Sequence, residues 1–273
     1  MKLRKALEKA KQAREEGNRI RRILPVESRV KNNDWKPPVY SQSTKIELDH
    51  QYLLDNRCIC ILADAPELES YKVLRTKIQQ LTKAKGWNTV MITSAEAGVG
   101  KTLTSINLAL TFARAYNQTV LLVDCDFHHQ SIHKMLNFEN NFGLIDYLVD
   151  GRPLSEFMIW PGIDKLTIIS GGRTFENSSE LLDSPRMKSL VQELKARYDD
   201  RYILFDVPPI LGTADALALT PYMDSIVMVV EEGKSSIRSV QKALEAIPQE
   251  KFLGFVMNKQ KAGGSRYQYY YYR

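Results

Sequence analysis

Short runs of β-branched and aliphatic residues alternate along this chain with longer stretches in which apolar positions recur every three or four residues. The runs predict strands at Thr89–Thr93, Val120–Asp124, Leu166–Ser170, Tyr202–Asp206, Ser225–Val230 and Gly254–Met257. The stretches between them predict helices over about 66–83, 101–116, 184–198 and 235–246. The strand runs are nearly continuously apolar, as in strands covered on both faces of a parallel sheet. The order therefore predicts an α/β fold: a mostly parallel sheet flanked by helices on both faces. No internal repeat is present.

The two ends break this pattern. Residues 1–22 read as a basic, weakly amphipathic helix with Leu3, Ala6, Leu7, Ala10 and Ala13 at helical spacing. This segment holds nine Lys/Arg against three Glu, which equals the whole chain's net charge of +6. The remaining residues are electrically balanced, so the excess belongs to the arm. The arm reads either as a solvated helix or as an attachment to acidic lipid or an acidic partner. Residues 23–57, with Pro25, Pro37 and Pro38 and no period, read as a linker or a wrapping arm. The expected organisation is thus an arm over 1–57, a folded domain over 58–262 and a tail over 263–273.

Composition narrows the class. With 273 residues, 44% of them hydrophobic, the chain can bury a large core. No apolar run approaches the roughly 20 residues needed to span a bilayer. Met1–Arg22 lacks the apolar stretch of a secretory signal, so a cytoplasmic location is expected. Cys58, Cys60 and Cys125 match no four-ligand zinc pattern and are expected to be reduced. The spacing Cys58-x-Cys60 would put both side chains on one face of a strand.

The chemistry centres on Ala95-Glu96-Ala97-Gly98-Val99-Gly100-Lys101-Thr102, between the strand Val90–Thr93 and a helix opening with Leu103. This is the context of a phosphate-binding P-loop, although Ala95 stands where the usual first glycine lies. Small residues let backbone N–H groups turn inward around phosphate oxygens, and the helix N-terminus adds positive charge. Lys101 would neutralise the β- and γ-phosphates and Thr102 would hold Mg²⁺. Two further strands end in carboxylates, at Asp124-Cys125-Asp126 and at Asp206. Ligands bind beyond the carboxyl ends of strands in such sheets, so these groups are expected to converge with Lys101 around a metal-bound nucleotide.

A strand ending in Asp-x-Asp is not general to P-loop proteins. Here the chain resembles the bacterial tyrosine kinases, autokinases of capsule and exopolysaccharide export within the deviant P-loop ATPase group. The resemblance runs over about residues 65–273 and includes Glu69–Thr76, Asn177–Met187, Phe205–Pro209, Val229–Lys234 and Gly254–Lys259. It implies ATP and Mg²⁺ as cofactors, with Gly98, Val99, Gly100, Lys101, Thr102 and Leu103 around the phosphates. It implies catalytic roles for Lys101, Asp124, Asp126 and Asp206, metal contact by Thr102 and the three aspartates, and Asn258 at the nucleotide base. Asp124 would face both the metal and the incoming tyrosine. It implies a homo-oligomer, including a ring packed through Glu69, Lys72 and Arg75. It further implies a membrane-protein activator of the polysaccharide co-polymerase (chain-length-determinant) type, recruitment to the inner face of the membrane, and a phosphotyrosine phosphatase. Two features depart from the pattern. Lys72 stands where the ring motif has arginine, and Phe127-His128-His129 follows Asp126 where an arginine is usual. The two histidines are expected at the surface rather than on a metal.

The tail completes the resemblance. Gly263-Gly264 precedes a segment in which Tyr267, Tyr269, Tyr270, Tyr271 and Tyr272 are clustered, which suits a phosphoacceptor segment behind a hinge. A β-pairing tail without chemistry is the alternative. At the level of the whole protein, the rival is a partition- or septum-site-type ATPase that controls membrane or partner association. Glu96 stands where those ATPases carry a signature lysine, which favours the kinase. No base-reading module is present, so no nucleic-acid partner is expected.

Overall fold

The structure, a computed structural model, describes residues 43–260. The expected basic helix, most of the expected linker and the expected acceptor tyrosines Tyr267 and Tyr269–Tyr272 lie outside the described residues.

Eight strands form one sheet among the described residues: β1 (Thr44–Lys45), β2 (Thr89–Ser94), β3 (Thr119–Asp124), β4 (Met158–Trp160), β5 (Leu166–Ile169), β6 (Arg201–Asp206), β7 (Ser225–Glu231) and β8 (Phe252–Asn258). Their order is β1-β4-β5-β3-β6-β2-β7-β8, and every pairing is parallel except β4 with β5. All six expected strands are present. The two short ones, β1 and β4, carry too few residues to show a period.

The helices are α1 (His50–Asp55), α2 (Leu68–Thr82), α3 (Lys101–Ala113), α4 (Ile132–Leu136), α5 (Ser178–Leu182), α6 (Pro185–Arg197), α7 (Asp215–Leu219) and α8 (Ile237–Glu245). Local chemistry starts them where the sequence allows. Ser184 caps α6 by accepting from the Met187 N–H at 3.2 Å, and Pro185 fills the first turn, where its missing N–H costs nothing. Met187, Leu190, Val191 and Leu194 then give α6 one buried stripe. Helix α3 is buried on nearly all sides, because it lies between the sheet and α2.

The sheet separates two apolar layers. One face packs Met91, Leu121, Val123, Ile203, Phe205 and Met228 against α6, α7 and α8. The other packs Val90, Ile92, Val120, Leu122 and Leu204 against α2 and α3. That two-sided burial is why the strands read as continuous apolar runs.

The end of the expected linker packs on the domain. Asp49 caps α1 by accepting from the N–H groups of Gln51 and Tyr52, and Leu53 is fully buried. Asn107 then fastens the following turn, accepting from the Cys60 N–H at 2.9 Å and donating to the Arg57 carbonyl at 3.0 Å. Cys58 and Cys60 do not lie on a strand; Ile59–Ile61 form a 3₁₀ turn. Both thiols are buried, and burial pushes Cys58 up to about 12 and Cys60 to about 11. Such thiols stay protonated and unreactive.

The strand order positions the site. Strand β6 is inserted between β2 and β3, so the strand carrying Asp206 separates the strand feeding the P-loop from the strand ending in Asp124. In register, Ile92 lies beside Asp206 and Asp206 beside Asp124. Three carboxyl ends therefore finish at one level.

Candidate active site

The P-loop follows β2 and turns into α3. Gly98 (φ +79°) and Gly100 (φ +90°) both adopt left-handed backbone conformations. Such angles strain any residue with a Cβ. At Gly100 the space is also taken, since a Cβ would lie 2.2 Å from Asn258 Nδ2. These two turns bring Val99 inward and start α3 at Lys101, with Leu103 in its first turn.

Behind the loop the expected residues come together. The buried Lys101 ammonium donates to Asp126 at 3.2 Å and lies 3.9 Å from Asp206. Thr102 Oγ1 donates to Asp206 Oδ2 at 2.7 Å, and Ser105 Oγ donates to Asp206 Oδ1 at 2.9 Å. Asp124 is fully buried and accepts from the Asp126 N–H at 3.1 Å. The other oxygen of Asp126 accepts from the His129 N–H at 2.9 Å.

The electrostatics follow from three carboxylates facing one ammonium. Burial lowers the proton affinity of Lys101, but Asp206 and Asp126 outweigh it and raise that affinity above the usual lysine range. Burial and the neighbouring Asp206 push Asp124 well above the usual carboxylate range. Burial raises Asp206 as well, against the opposing pull of Lys101, Thr102 and Ser105. The site thus carries more buried negative charge than its one lysine balances.

That surplus fits a hard cation. The donors are all oxygen, from three carboxylates and one hydroxyl, as Mg²⁺ prefers. Among the described residues no group of three or more His, Cys, Asp or Glu side chains is arranged to hold a metal by itself. A cation here would need nucleotide phosphates and water to complete its shell, which is the usual arrangement for Mg²⁺.

Asn258 lies at the end of β8 against the P-loop, donating to the Val99 carbonyl at 2.8 Å. Its neighbour Lys259 was not foreseen. Lys259 Nζ donates to the Gly98 carbonyl at 2.7 Å and pairs with Glu231 at 2.9 Å. Ser105 was also not foreseen, although it sits four residues beyond Lys101 on the same face of α3, a spacing that marks it as a neighbour.

The departures after Asp126 acquire a structural account. Phe127 is fully buried in the core. His128 and His129 are at the surface, as expected, but His128 is bonded on one side. Its Nε2 lies 2.8 Å from Ser178 Oγ, which itself donates to the buried Asp215 carboxylate at 2.8 Å. This contact ties the loop after β3 to α5 and α7. No local sequence signal joins residues 128, 178 and 215, so only the fold reveals it.

The three residues expected at an oligomer interface divide. Glu69 and Lys72 pair with each other on the surface of α2 at 3.1 Å. Arg75 is half-buried and donates to the Thr111 carbonyl at 2.8 Å, which ties α2 to α3 within one chain.

Comparison with known proteins agrees with this geometry. A family model described as "AAA domain" matches residues 87–252. The tyrosine-protein kinase YwqD of Bacillus subtilis is 36% identical over 205 residues, covering 74% of this chain and 85% of that protein. The tyrosine-protein kinase wzc of Salmonella typhi is 29% identical over 210 residues, which cover 75% of this chain but 29% of that longer protein. Among solved structures, the kinase domain of the Escherichia coli tyrosine kinase ETK superposes with a TM-score of 0.68 at 25% identity, covering 85% of this chain and 95% of that one. The septum-site-determining protein MinD from Pyrococcus horikoshii, solved with Mg-ADP, reaches 0.53 at 22% identity over 62% of this chain and 69% of its own, a likeness of fold. Since YwqD, a tyrosine-protein kinase, shares more than a third of its residues with this chain over most of both lengths and the septum-site protein shares the fold alone, the chain belongs to the bacterial tyrosine-protein kinase family.

Proposed function

We propose that this tyrosine kinase transfers the γ-phosphoryl group of ATP to the tyrosines of its own C-terminal segment, Tyr267 and Tyr269–Tyr272, and thereby regulates capsule or exopolysaccharide synthesis. The observation that carries the reading is the cluster of buried Lys101, Asp124, Asp126 and Asp206 with half-buried Thr102, directly behind a P-loop.

The work assigned to the chain's own residues is positioning and charge stabilisation. Backbone N–H groups of the loop, bent by Gly98 and Gly100, would bind the phosphates. Lys101 would swing from Asp126 toward the β- and γ-oxygens and stabilise charge as it spreads there. Asp124 would orient the tyrosine hydroxyl, which is neutral near pH 7 because its pKa is about 10. The raised affinity of Asp124 for a proton suits it to accept that proton late in the transfer. Thr102, Asp124, Asp126 and Asp206 would hold Mg²⁺, which would supply positive charge against the phosphates.

Asn258 and Lys259, both bonded to P-loop carbonyls, would set the edge of the nucleotide site. Among the described residues no helix is long and apolar enough to cross a membrane. The proposal places the kinase in the cytoplasm, recruited to the membrane by a co-polymerase-type activator, acting as a homo-oligomer and reset by a phosphotyrosine phosphatase. Glu69 and Lys72 on α2 are the exposed candidates for subunit contact.

The test compares the wild type with Lys101→Met after incubation with Mg²⁺ and ATP, mapping phosphotyrosine by mass spectrometry. Phosphotyrosine within residues 267–272 of the wild type alone is expected. Its absence from the wild type, with an activating partner present, refutes the reading. Deleting residues 265–273 should keep nucleotide binding and remove most of the phosphate signal.

A further inference from the structure

A cavity lies at the opposite end of the sheet from the P-loop, where β2, β7 and β8 begin. It encloses about 310 Å³ and is lined in part by Trp87, Lys188, Lys195, Tyr222, Asp224 and Lys251. The P-loop chemistry uses none of these residues.

Three lysines face this cavity against one carboxylate, and that carboxylate is already engaged. Asp224 accepts from the N–H groups of Asn88 and Thr89 at 3.0 and 3.1 Å and pairs with Lys195. These bonds overcome the effect of burial and hold its proton affinity below the usual range, so its charge is fixed and internally compensated. Lys251 Nζ donates to the carbonyls of Thr220 and Pro221 at 3.1 and 2.9 Å, which leaves one of its three hydrogens to give. Lys188 is exposed and has no partner among the described residues. The site carries a local excess of positive charge within a region, residues 23–273, whose net charge is zero.

The walls add a second requirement. Trp87 is half-buried, with the Lys85 ammonium 3.9 Å from its ring centroid, and Tyr222 contributes a second ring. Flat aromatic walls beside ammonium groups recognise an aromatic group bearing negative charge. The volume lies at the lower end of the roughly 300–1,000 Å³ typical of ligand pockets. It suits a single side chain better than a nucleotide.

We propose that this cavity is a binding site for phosphotyrosine, occupied by the phosphorylated tyrosines of the chain's own C-terminal segment. The identity of the occupant rests on the autokinase reading above. Each phosphotyrosine brings about −1.5 to −2 charges on an aromatic ring, which matches both features of the site. The lengths allow it. Strand β8, seven residues long, spans roughly 23 Å between the two ends of the sheet. The nine residues from 261 to Tyr269 span up to about 30 Å when extended. A tail held there would be withdrawn from the P-loop end, so the product of the reaction would sequester its own acceptor.

The experiment uses the full-length protein, dephosphorylated with a phosphatase that is then removed. A labelled peptide of residues 263–273 phosphorylated at Tyr269 is titrated by fluorescence anisotropy, beside the unphosphorylated peptide. The phosphopeptide should bind at least tenfold more tightly. Lys188→Glu, at an exposed residue without partners, should weaken binding at least fivefold with no change in melting temperature, and ADP should not displace the peptide. Equal binding of the two peptides, displacement by ADP, or unchanged affinity of the Lys188→Glu variant overturns the proposal. The last result would place the peptide elsewhere, including on the basic residues 1–22. A synthetic phosphopeptide needs no kinase activity, so a failed autokinase reading leaves a distinct signature: the peptide binds while the protein makes no phosphotyrosine.

Discussion

Replacing Lys101 with methionine should do more than abolish phosphoryl transfer; it should make the stability of the fold steeply dependent on pH. Lys101 is buried, 3.2 Å from Asp126 and 3.9 Å from Asp206, and it lowers the proton affinity of Asp206 and, more weakly, of Asp124. Methionine fills a similar volume but leaves the carboxylates uncompensated. Removing one partner of a buried ion pair typically costs about 3–5 kcal/mol. At roughly 2–4 °C per kcal/mol for a domain of this size, the melting temperature near pH 7.5 should fall by about 6–20 °C. The sign with pH is fixed by the direction of the shifts. Without the ammonium, the folded-state pKa values of Asp206 and Asp124 rise further above their unfolded values. The stability they contribute is then fully present below the unfolded carboxylate range and is lost as pH rises through the raised folded values. The variant should therefore approach the wild type at pH 5 and diverge from it toward pH 8. Differential scanning calorimetry across that range, without nucleotide, checks it. A constant difference in melting temperature from pH 5 to 8, or none, would refute the idea that Lys101 compensates buried carboxylates.

The remaining predictions concern the loop and its supports. Gly100→Ala places a methyl group 2.2 Å from Asn258 Nδ2 on a backbone at φ +90°, and should weaken ATP binding by more than tenfold in calorimetric titration. Adding Asn258→Ala removes the collision but not the backbone strain, so it should restore only part of the loss. Lys259→Ala removes the donor to the Gly98 carbonyl and should raise the KM for ATP about three- to tenfold with kcat little changed, while Lys259→Arg keeps most of the affinity. Arg75→Ala leaves the Thr111 carbonyl without its donor and should cost about 1–3 kcal/mol in denaturant unfolding. An altered oligomer distribution at unchanged stability would instead favour a role for Arg75 between subunits.

What the sequence displayed and what it hid divide along a physical line. The six longer strands were legible because burial on both faces makes each an uninterrupted apolar run, and their carboxyl-terminal aspartates were legible because strand ends mark the ligand side of such sheets. Lys101, Thr102, Asp124, Asp126 and Asp206 were therefore found by position. The short β1 and β4 were not, since two or three residues define no period. Nor was the segment 44–57, which is held by the pairing of β1 with β4, the buried Leu53, the Tyr52 hydroxyl on the Lys134 carbonyl and Asn107 on the Arg57 carbonyl, all partners distant in the chain. The tie between Arg75 and the Thr111 carbonyl was hidden for a different reason: only packing brings a guanidinium on one helix to the carbonyl of its neighbour.

The same distinction bears on the end of β8. Asn258 is expected to meet the nucleotide base, and its amide Nδ2 donates one hydrogen to the Val99 carbonyl while Lys259 holds the Gly98 carbonyl next to it. Two successive residues of β8's terminus thus grip two successive residues of the phosphate loop, and the Glu231 carboxylate at the end of β7 steadies Lys259 from behind. The chain runs on from this grip to Tyr267 and Tyr269–Tyr272, the proposed acceptors. By linkage, a nucleotide that tightens the loop must strengthen the grip by the same free energy that the grip lends to nucleotide binding. Hydrogen exchange at residues 256–260 should accordingly slow when ATP is added to the wild type, and should respond far less in Lys259→Ala. Equal slowing in both proteins would show that the lysine only decorates the loop.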